Sequence, residues 1–237
     1  FGRDFADKFS NASGWSPLGS KLLISLKFIS KTSIPTPMDL ERISLEPILL
    51  KKVAILGYGN QGRAHALNLK DSGVKVLVGG REGQGAASAR LDGLECLRFA
   101  DAVRAVEVVM FLLPDQVIAE VYAQLMPLLK GKYIGFAHGF SYQFGGLQKF
   151  KECGYFLVGP KGAGAILREN FKNGGGLPGV FAVATDDPEL RAICLAYAKA
   201  IGLATSVLLE TTFQEETECD LFGEQAVLCG GILQLME

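Results

Sequence analysis

The sequence predicts an α/β protein with a doubly wound parallel sheet, and three observations lead there. Short apolar runs alternate with segments of helical period along most of the chain. One of them, Lys52-Val-Ala-Ile-Leu56, runs into Gly57-Tyr-Gly-Asn-Gln-Gly62 and then into the helix-forming segment Arg63–Lys70. The 237 residues are 49% apolar and include 29 glycines, which suits a well-filled core with many tight turns.

The elements follow in order. Lys75–Gly79 (KVLVG) reads as a second strand and Ala86–Leu91 as a short helix. Glu107–Leu113 (EVVMFLL) is a buried strand that ends at Pro114-Asp115, and Gln116–Leu129 is helical by its apolar spacing. Tyr133–Ala137, Gly154–Val158 and Val180–Thr185 are further strands, and Pro188–Ile201 is a helix opened by Asp186-Asp187. There is no internal repeat. Residues 1–37 stand apart: from Lys8 to Pro37 the chain is basic, serine-rich and free of acidic residues. They are expected to be a poorly ordered N-terminal extension, with a transit peptide as the other reading. Order is expected from Met38.

Composition excludes some classes. A net charge of −1 does not suit a nucleic-acid binder. No apolar run reaches the ~20 residues of a membrane span. The five cysteines, at 96, 153, 194, 219 and 229, are odd in number and lack C-x-x-C spacing, as expected of free thiols in a reducing compartment.

In a doubly wound sheet, ligands sit beyond the carboxyl ends of the strands, so residues that directly follow strands are the candidates. The G-x-G-x-x-G turn places a helix N-terminus against an anion: its first glycine turns the chain, its second admits a pyrophosphate, and its third lets helix and strand pack closely. That predicts a Rossmann-type dinucleotide site, with a glycine turn that serves only packing as the other reading. Arg81, after the second strand, favours a 2′-phosphate and hence NADP, while Glu82 beside it leaves NAD open. Pro114-Asp115-Gln116-Val117 is expected to border the nicotinamide, or to be a plain helix start with Asp115 as N-cap.

His138 follows a strand and precedes Gly139, where an imidazole can serve proton chemistry or structure. His65, on the first helix, reads as a packing or surface residue. Lys161, in Pro160-Lys-Gly-Ala-Gly164, can pair with a carboxylate or phosphate, and Asn173-Gly-Gly-Gly176 is a second flexible loop. Glu216, Asp220 and Glu224 fall at i, i+4 and i+8 of one helix face. Such a stack suits Mg²⁺ through oxygen ligands, or is a solvated acidic helix start.

Together these pieces resemble the ketol-acid reductoisomerase (acetohydroxy acid isomeroreductase) family. The resemblance runs from about Lys51 to Gly231. It rests on Gly57-Tyr-Gly-Asn-Gln-Gly62 with Ala64-His-Ala-Leu-Asn68 and Asp71-Ser-Gly73, on Leu112-Leu-Pro-Asp115, and on Phe136-Ala-His-Gly-Phe140. Pro160-Lys-Gly162, Glu210-Thr-Thr-Phe213 and Asp220-Leu-Phe-Gly-Glu-Gln-Ala-Val-Leu-Cys-Gly230 complete it, in the family's order.

The resemblance implies an Mg²⁺- and NADPH-dependent enzyme of valine, isoleucine and leucine biosynthesis. A 2-acetohydroxy acid (2-acetolactate or 2-aceto-2-hydroxybutyrate) would undergo alkyl migration and then reduction to a 2,3-dihydroxy acid. It implies Asp220 and Glu224 as metal ligands and His138, Lys161 and Glu216 as active-site groups, with Glu216 in a supporting place. Nucleotide contacts would fall at Gly57, Tyr58, Gly59, Asn60, Gln61 and Gly62, at Arg81, at Asp115, Gln116, Val117 and Ile118, and at Gly164.

Three departures bear on these expectations. Gln84 and Ala86 stand where the family places serines for the 2′-phosphate, in a loop about one residue short, and Ala163 replaces a usual proline. The family also continues into an all-helical domain, of which residues 210–237 would be the first part, after an NADP-binding domain over 38–209. The chain therefore reads as a fragment expected to bind NADPH without turning over substrate. The whole enzyme would be a homo-oligomer, in the bacterial cytoplasm or in a plastid.

Overall fold

A computed structural model describes residues 42–203 and 207–223. The expected extension over 1–37, the start at Met38, Glu224 and Cys229 lie outside the described residues, as does half of the segment 210–237, residues 224–237. The described elements are, in order, α1 (Glu46–Leu49), β1 (Lys52–Leu56), α2 (Asn60–Asp71), β2 (Lys75–Gly79), α3 (Gln84–Leu91), β3 (Cys96–Leu97), α4 (Phe99–Arg104) and β4 (Val108–Phe111). There follow α5 (Asp115–Leu129), β5 (Tyr133–Phe136), α6 (Phe140–Phe144), β6 (Gly154–Pro160), α7 (Gly164–Lys172), β7 (Gly179–Val183), α8 (Pro188–Ala200), β8 (Leu208–Glu210) and α9 (Phe213–Leu221).

These strands make a single eight-stranded sheet in the order β3-β2-β1-β4-β5-β6-β7-β8. The chain winds outward from β1 in both directions, as the alternation of elements predicts. The strands read as continuous apolar runs because both faces are covered. Val53, Ile55, Val108, Met110, Phe156 and Val158 pack on one side with residues of α2, α7 and α8. Ala54, Leu56, Val109, Phe111, Tyr155 and Leu157 pack on the other with α4 and α5. The two-residue period of a strand divides each run between two cores.

The direction of β7 corrects the expectation of an all-parallel sheet. β7 pairs antiparallel with β6, in the register Pro160↔Gly179, and β8 runs parallel to β7. Lys161 N–H donates to the Pro178 carbonyl at 2.9 Å, so the excursion from 161 to 178 returns to the sheet where it left. Its helix, α7, packs on α2 instead of crossing back along the sheet. Arg168 of α7 bonds Asn68 Oδ1 at 2.8 Å and Asp71 at 2.7 Å, and Asn68 donates on to the Ile201 carbonyl at 2.9 Å. Without a crossover the next strand must run back.

Local signals set the helix starts. Asp187 caps α8 by accepting from Glu189 N–H at 2.9 Å, with Pro188 at the first helical position. Thr212 caps α9 by accepting from Glu215 N–H at 3.0 Å. Asp115 is not a cap: Pro114 precedes the first turn of α5, and the Asp115 carboxylate is instead held by Ser141 Oγ at 2.5 Å.

Candidate active site

The glycine turn sits between β1 and α2, at the centre of the sheet. Gly57 has φ +98°, and a Cβ there would lie 2.7 Å from the Leu112 carbonyl. A Cβ on Gly62 would lie 2.1 Å from the Gly57 carbonyl, so helix and turn touch with no room for a side chain. Nothing comes within 4 Å of a Cβ built on Gly59. The turn is thus closed toward the protein and open at its middle glycine, the form a pyrophosphate cradle requires. Gln61 Oε1 is buried without a hydrogen-bond partner. These features fit a dinucleotide.

Several expected nucleotide contacts have structural duties. The Tyr58 hydroxyl donates to Asp92 Oδ2 at 2.8 Å, and Arg63 grips the same carboxylate through Nε at 2.7 Å and a second nitrogen at 3.0 Å. Tyr58 therefore pins the end of α3 to the glycine turn. The Arg63 bonds, with Tyr58 adding to them against the effect of burial, hold Asp92 down at about 2. Asn60 Oδ1 accepts from Ala165 N–H at 3.0 Å, and Gln61 Nε2 donates to the Gly162 carbonyl at 2.9 Å. A Cβ on Gly164 would lie 2.2 Å from the Asn60 carbonyl. Gly164 is thus required where α7 meets α2, whatever it offers a cofactor. At the start of α5, Gln116 is exposed, Val117 is half-buried, and Ile118 packs its side chain into the core. Arg81 is exposed and has no ion-pair partner among the described residues, whereas Glu82 is held by Arg90.

Next to this turn the structure gathers the residues singled out for chemistry. His138 follows β5, Lys161 follows β6, and Glu216 and Asp220 lie one turn apart on α9. Phe213 seats α9 by stacking on Tyr142 with ring centroids 3.9 Å apart and meeting Phe136 edge-on. A Cβ on Gly139 would come within 2.4 Å of Thr217 Oγ1, so that glycine lets the helix approach.

Glu216 is the hub, with its side chain only 2% exposed. Its Oε2 accepts from Gly139 N–H at 2.8 Å and meets His138 Nδ1 at 3.0 Å, while Oε1 accepts from Lys161 Nζ at 2.9 Å. Lys161 Nζ also reaches Asp220 Oδ1 at 2.9 Å, and Asp220 Oδ2 lies 3.4 Å from His138 Nδ1.

The electrostatics follow from this packing. Burial alone would raise the Glu216 carboxyl, but the His138 and Lys161 bonds, the Lys161 charge and the Gly139 N–H outweigh it and hold it below the usual range. Burial pulls Lys161 down, yet Asp220 and Glu216 more than offset that and keep it an ammonium. The bond to Glu216 is the main cause raising His138; burial opposes it, and the charges of Glu216, Asp220 and Asp115 add to it.

One ligand atom from each of His138, Glu216 and Asp220 lies within 4.8 Å of the others, close enough to share a cation. The quarter-exposed Asp220 carboxylate beside the buried Glu216 suits Mg²⁺, which keeps several waters and takes few protein ligands. Lys161 Nζ already bridges both carboxylates at 2.9 Å, as a cation should. The donor set fits the ion.

A cavity of about 1050 Å³ opens beside the turn, over the outer face of α2 between α3 and α7. Tyr58, Gly59 and Asn60 of the turn and Gly164 of α7 line it, and none of the four clustered residues does. The chemistry of the side chains, and not the size of the cavity, locates the site.

Comparison with known proteins agrees with this geometry. Residues 47–206 match the family model described as acetohydroxy acid isomeroreductase, NADPH-binding domain. Residues 213–237 match the ketol-acid reductoisomerase C-terminal domain. The chain belongs to the ketol-acid reductoisomerase family.

A solved relative, an NADH-preferring ketol-acid reductoisomerase from an uncultured archean, is 37% identical with a TM-score of 0.81. The match covers 85% of this chain and 63% of that one, so the chain spans less than two thirds of that ketol-acid reductoisomerase. More distant likenesses concern the fold alone. A semialdehyde dehydrogenase NAD-binding protein from Cupriavidus necator is 24% identical, with a TM-score of 0.65, over 78% of this chain and 71% of its own. An F420-dependent NADP reductase from Arthrobacter sp. is 17% identical, with a TM-score of 0.57, over 78% and 95%.

The cysteines and the surface carry less. Cys96, Cys153, Cys194 and Cys219 are free thiols, and burial pushes Cys194 well up. Among the described residues no helix is long and apolar enough to cross a membrane.

Proposed function

We propose that this chain is the cofactor-binding and first metal-binding part of an NADPH-dependent, Mg²⁺-requiring ketol-acid reductoisomerase of branched-chain amino-acid biosynthesis. Its substrates would be 2-acetolactate and 2-aceto-2-hydroxybutyrate. The reading rests on one observation above all: His138, Lys161, Glu216 and Asp220 converge in one hydrogen-bonded cluster next to the glycine turn.

Bound Mg²⁺ supplies Lewis-acid polarisation of the substrate oxygens, and bound nicotinamide supplies the hydride. The protein's own groups do the rest. Asp220, a quarter exposed and held by Lys161 at 2.9 Å, is the more accessible carboxylate for a cation, with Glu224 its expected companion. Glu216 stays in place and orients both His138 and Lys161. With Nδ1 committed to Glu216, His138 can take or give a proton at Nε2. The Lys161 ammonium stabilises negative charge that develops on a substrate oxygen.

The preference for NADPH rests on Arg81, a cation at the end of β2 without an ion-pair partner among the described residues, with the neighbouring carboxylate already engaged by Arg90. Arg81→Ala should lower the NADPH/NADH affinity ratio, and an unaltered ratio would remove Arg81 from the 2′ position.

The reaction is tested by measuring Mg²⁺-dependent NADPH oxidation with 2-acetolactate, alongside NADPH binding by fluorescence. Asp220→Asn is expected to abolish alkyl migration and leave NADPH binding intact. Unchanged isomerisation would take Asp220 out of the metal site. The 237 residues alone are expected to bind NADPH without turnover; measurable turnover would show that the groups on this chain suffice.

A further inference from the structure

The loop after β2 holds an arrangement that the motif reading does not include. Glu82 and Arg90 form a bidentate pair: one guanidinium nitrogen meets Oε1 at 2.6 Å, and the other meets Oε2 at 3.0 Å. The pair spans the loop from the end of β2 to the last turn of α3, closing residues 83–89 into a ring. Both side chains are well exposed, so they face solvent and anything bound beyond the strand ends. Arg98, which precedes α4 beside the end of β3, adds its charge to those holding the Glu82 carboxyl below the usual range. Arg90 and Arg98 therefore both act on this one carboxylate, with Arg81 next to it in the chain at the end of β2.

A free carboxylate here would accept a hydrogen bond from a ribose 2′-hydroxyl and repel a 2′-phosphate. A guanidinium does the reverse, since its planar fork matches a phosphate. In this structure both oxygens of Glu82 are spent on Arg90, so the carboxylate is masked and the edge keeps its positive balance. We propose that Arg90 is a positioning residue for cofactor choice: it sequesters Glu82, denying the 2′-hydroxyl an acceptor and relieving the 2′-phosphate of a repulsion. The inference builds on the proposed dinucleotide site, yet it concerns the change in preference and holds whichever cofactor the unaltered chain prefers.

The test measures NADPH and NADH dissociation constants by fluorescence, with adenosine 2′,5′-bisphosphate and 5′-AMP as competitors that isolate the 2′ group. Arg90→Gln should weaken NADPH by about fivefold, the effect of one exposed charge contact, and leave NADH unchanged or tighter. Glu82→Gln should move the ratio the other way, and the Glu82→Gln, Arg90→Gln double variant should recover the NADPH affinity lost in Arg90→Gln. Arg90→Lys, which restores the charge but not the fork, should fall between. Because both side chains lie at the surface, circular dichroism should show each variant folded as the parent.

Equal changes in both constants, or no change in either, would overturn the role given to Arg90. Loss of NADPH affinity in Arg81→Ala with a silent Arg90→Gln would overturn it too, while leaving the NADPH reading standing. A parent chain that prefers NADH, but whose ratio still moves with Arg90 and Glu82, would uphold the pair and refute the NADPH reading.

Discussion

Glu216→Gln probes the hub of the cluster. The substitution keeps shape but replaces an acceptor-only carboxylate, 2% exposed, by a neutral amide with one acceptor and one donor end. Three donors converge on that carboxylate: Gly139 N–H, His138 and Lys161. The amide nitrogen must then face a donor, and Lys161 is left with Asp220 alone. Removing one partner of a fully buried ion pair costs about 3–5 kcal/mol. Lys161 is 39% exposed and can regain water, so the expected cost is lower, about 2 kcal/mol. With a urea slope of about 2 kcal/mol per M, the unfolding midpoint followed by circular dichroism should fall by about 1 M. Mn²⁺ affinity, read by electron paramagnetic resonance, should drop about tenfold or more, because a group that orients ligands has been lost. NADPH affinity should hold, since the glycine turn is untouched. An unmoved midpoint together with unchanged Mn²⁺ binding would refute the view that Glu216 organises the site.

Three further outcomes are expected. His65 is fully buried, with Nδ1 on the Tyr197 hydroxyl at 2.9 Å and Nε2 unpartnered, and burial pushes its pKa down to about 3. Its folded value lies below the unfolded one, so its contribution to stability is complete above about pH 6.5 and is lost as pH falls toward 3. At pH 5 that amounts to about 2 kcal/mol, and His65→Gln should flatten the dependence of the urea midpoint on pH; an unchanged slope would count against it. Gly164→Ala would press a methyl against the Asn60 carbonyl, so melting should show a loss of about 1–3 kcal/mol with weaker NADPH binding; a neutral result would mean that α7 shifts freely. Tyr58→Phe should cost about 1 kcal/mol through the lost bond to Asp92, with NADPH affinity unchanged, and a large loss of affinity would return the hydroxyl to the nucleotide.

Much of the fold was legible because its signals are local. Val53–Leu56 and Val108–Phe111 are apolar throughout, which a strand buried on both faces requires. The weaker pieces escaped for physical reasons. β3 has two residues and α4 has six, too few for a period to show. α7 follows a glycine-rich turn that reads as loop, and only its packing on α2 reveals why Arg168 stands where it does. The reversal of β7 depends on where residues 161–178 return to the sheet, a fact of path and not of pattern.

The sequence by itself determined the strand–turn–helix at Gly57–Gly62, the placing of His138 and Lys161 after strands, and the single-face spacing of Glu216 and Asp220. Each follows from steric or helical rules that act within a few residues. Only the tertiary structure decided that these four side chains meet, that Glu216 is the buried support and Asp220 the accessible carboxylate, and that Tyr58, Asn60 and Gln61 brace the turn. It also decided that Arg90 masks Glu82. Those outcomes depend on burial and on contacts between residues as much as 105 positions apart, which no local pattern encodes.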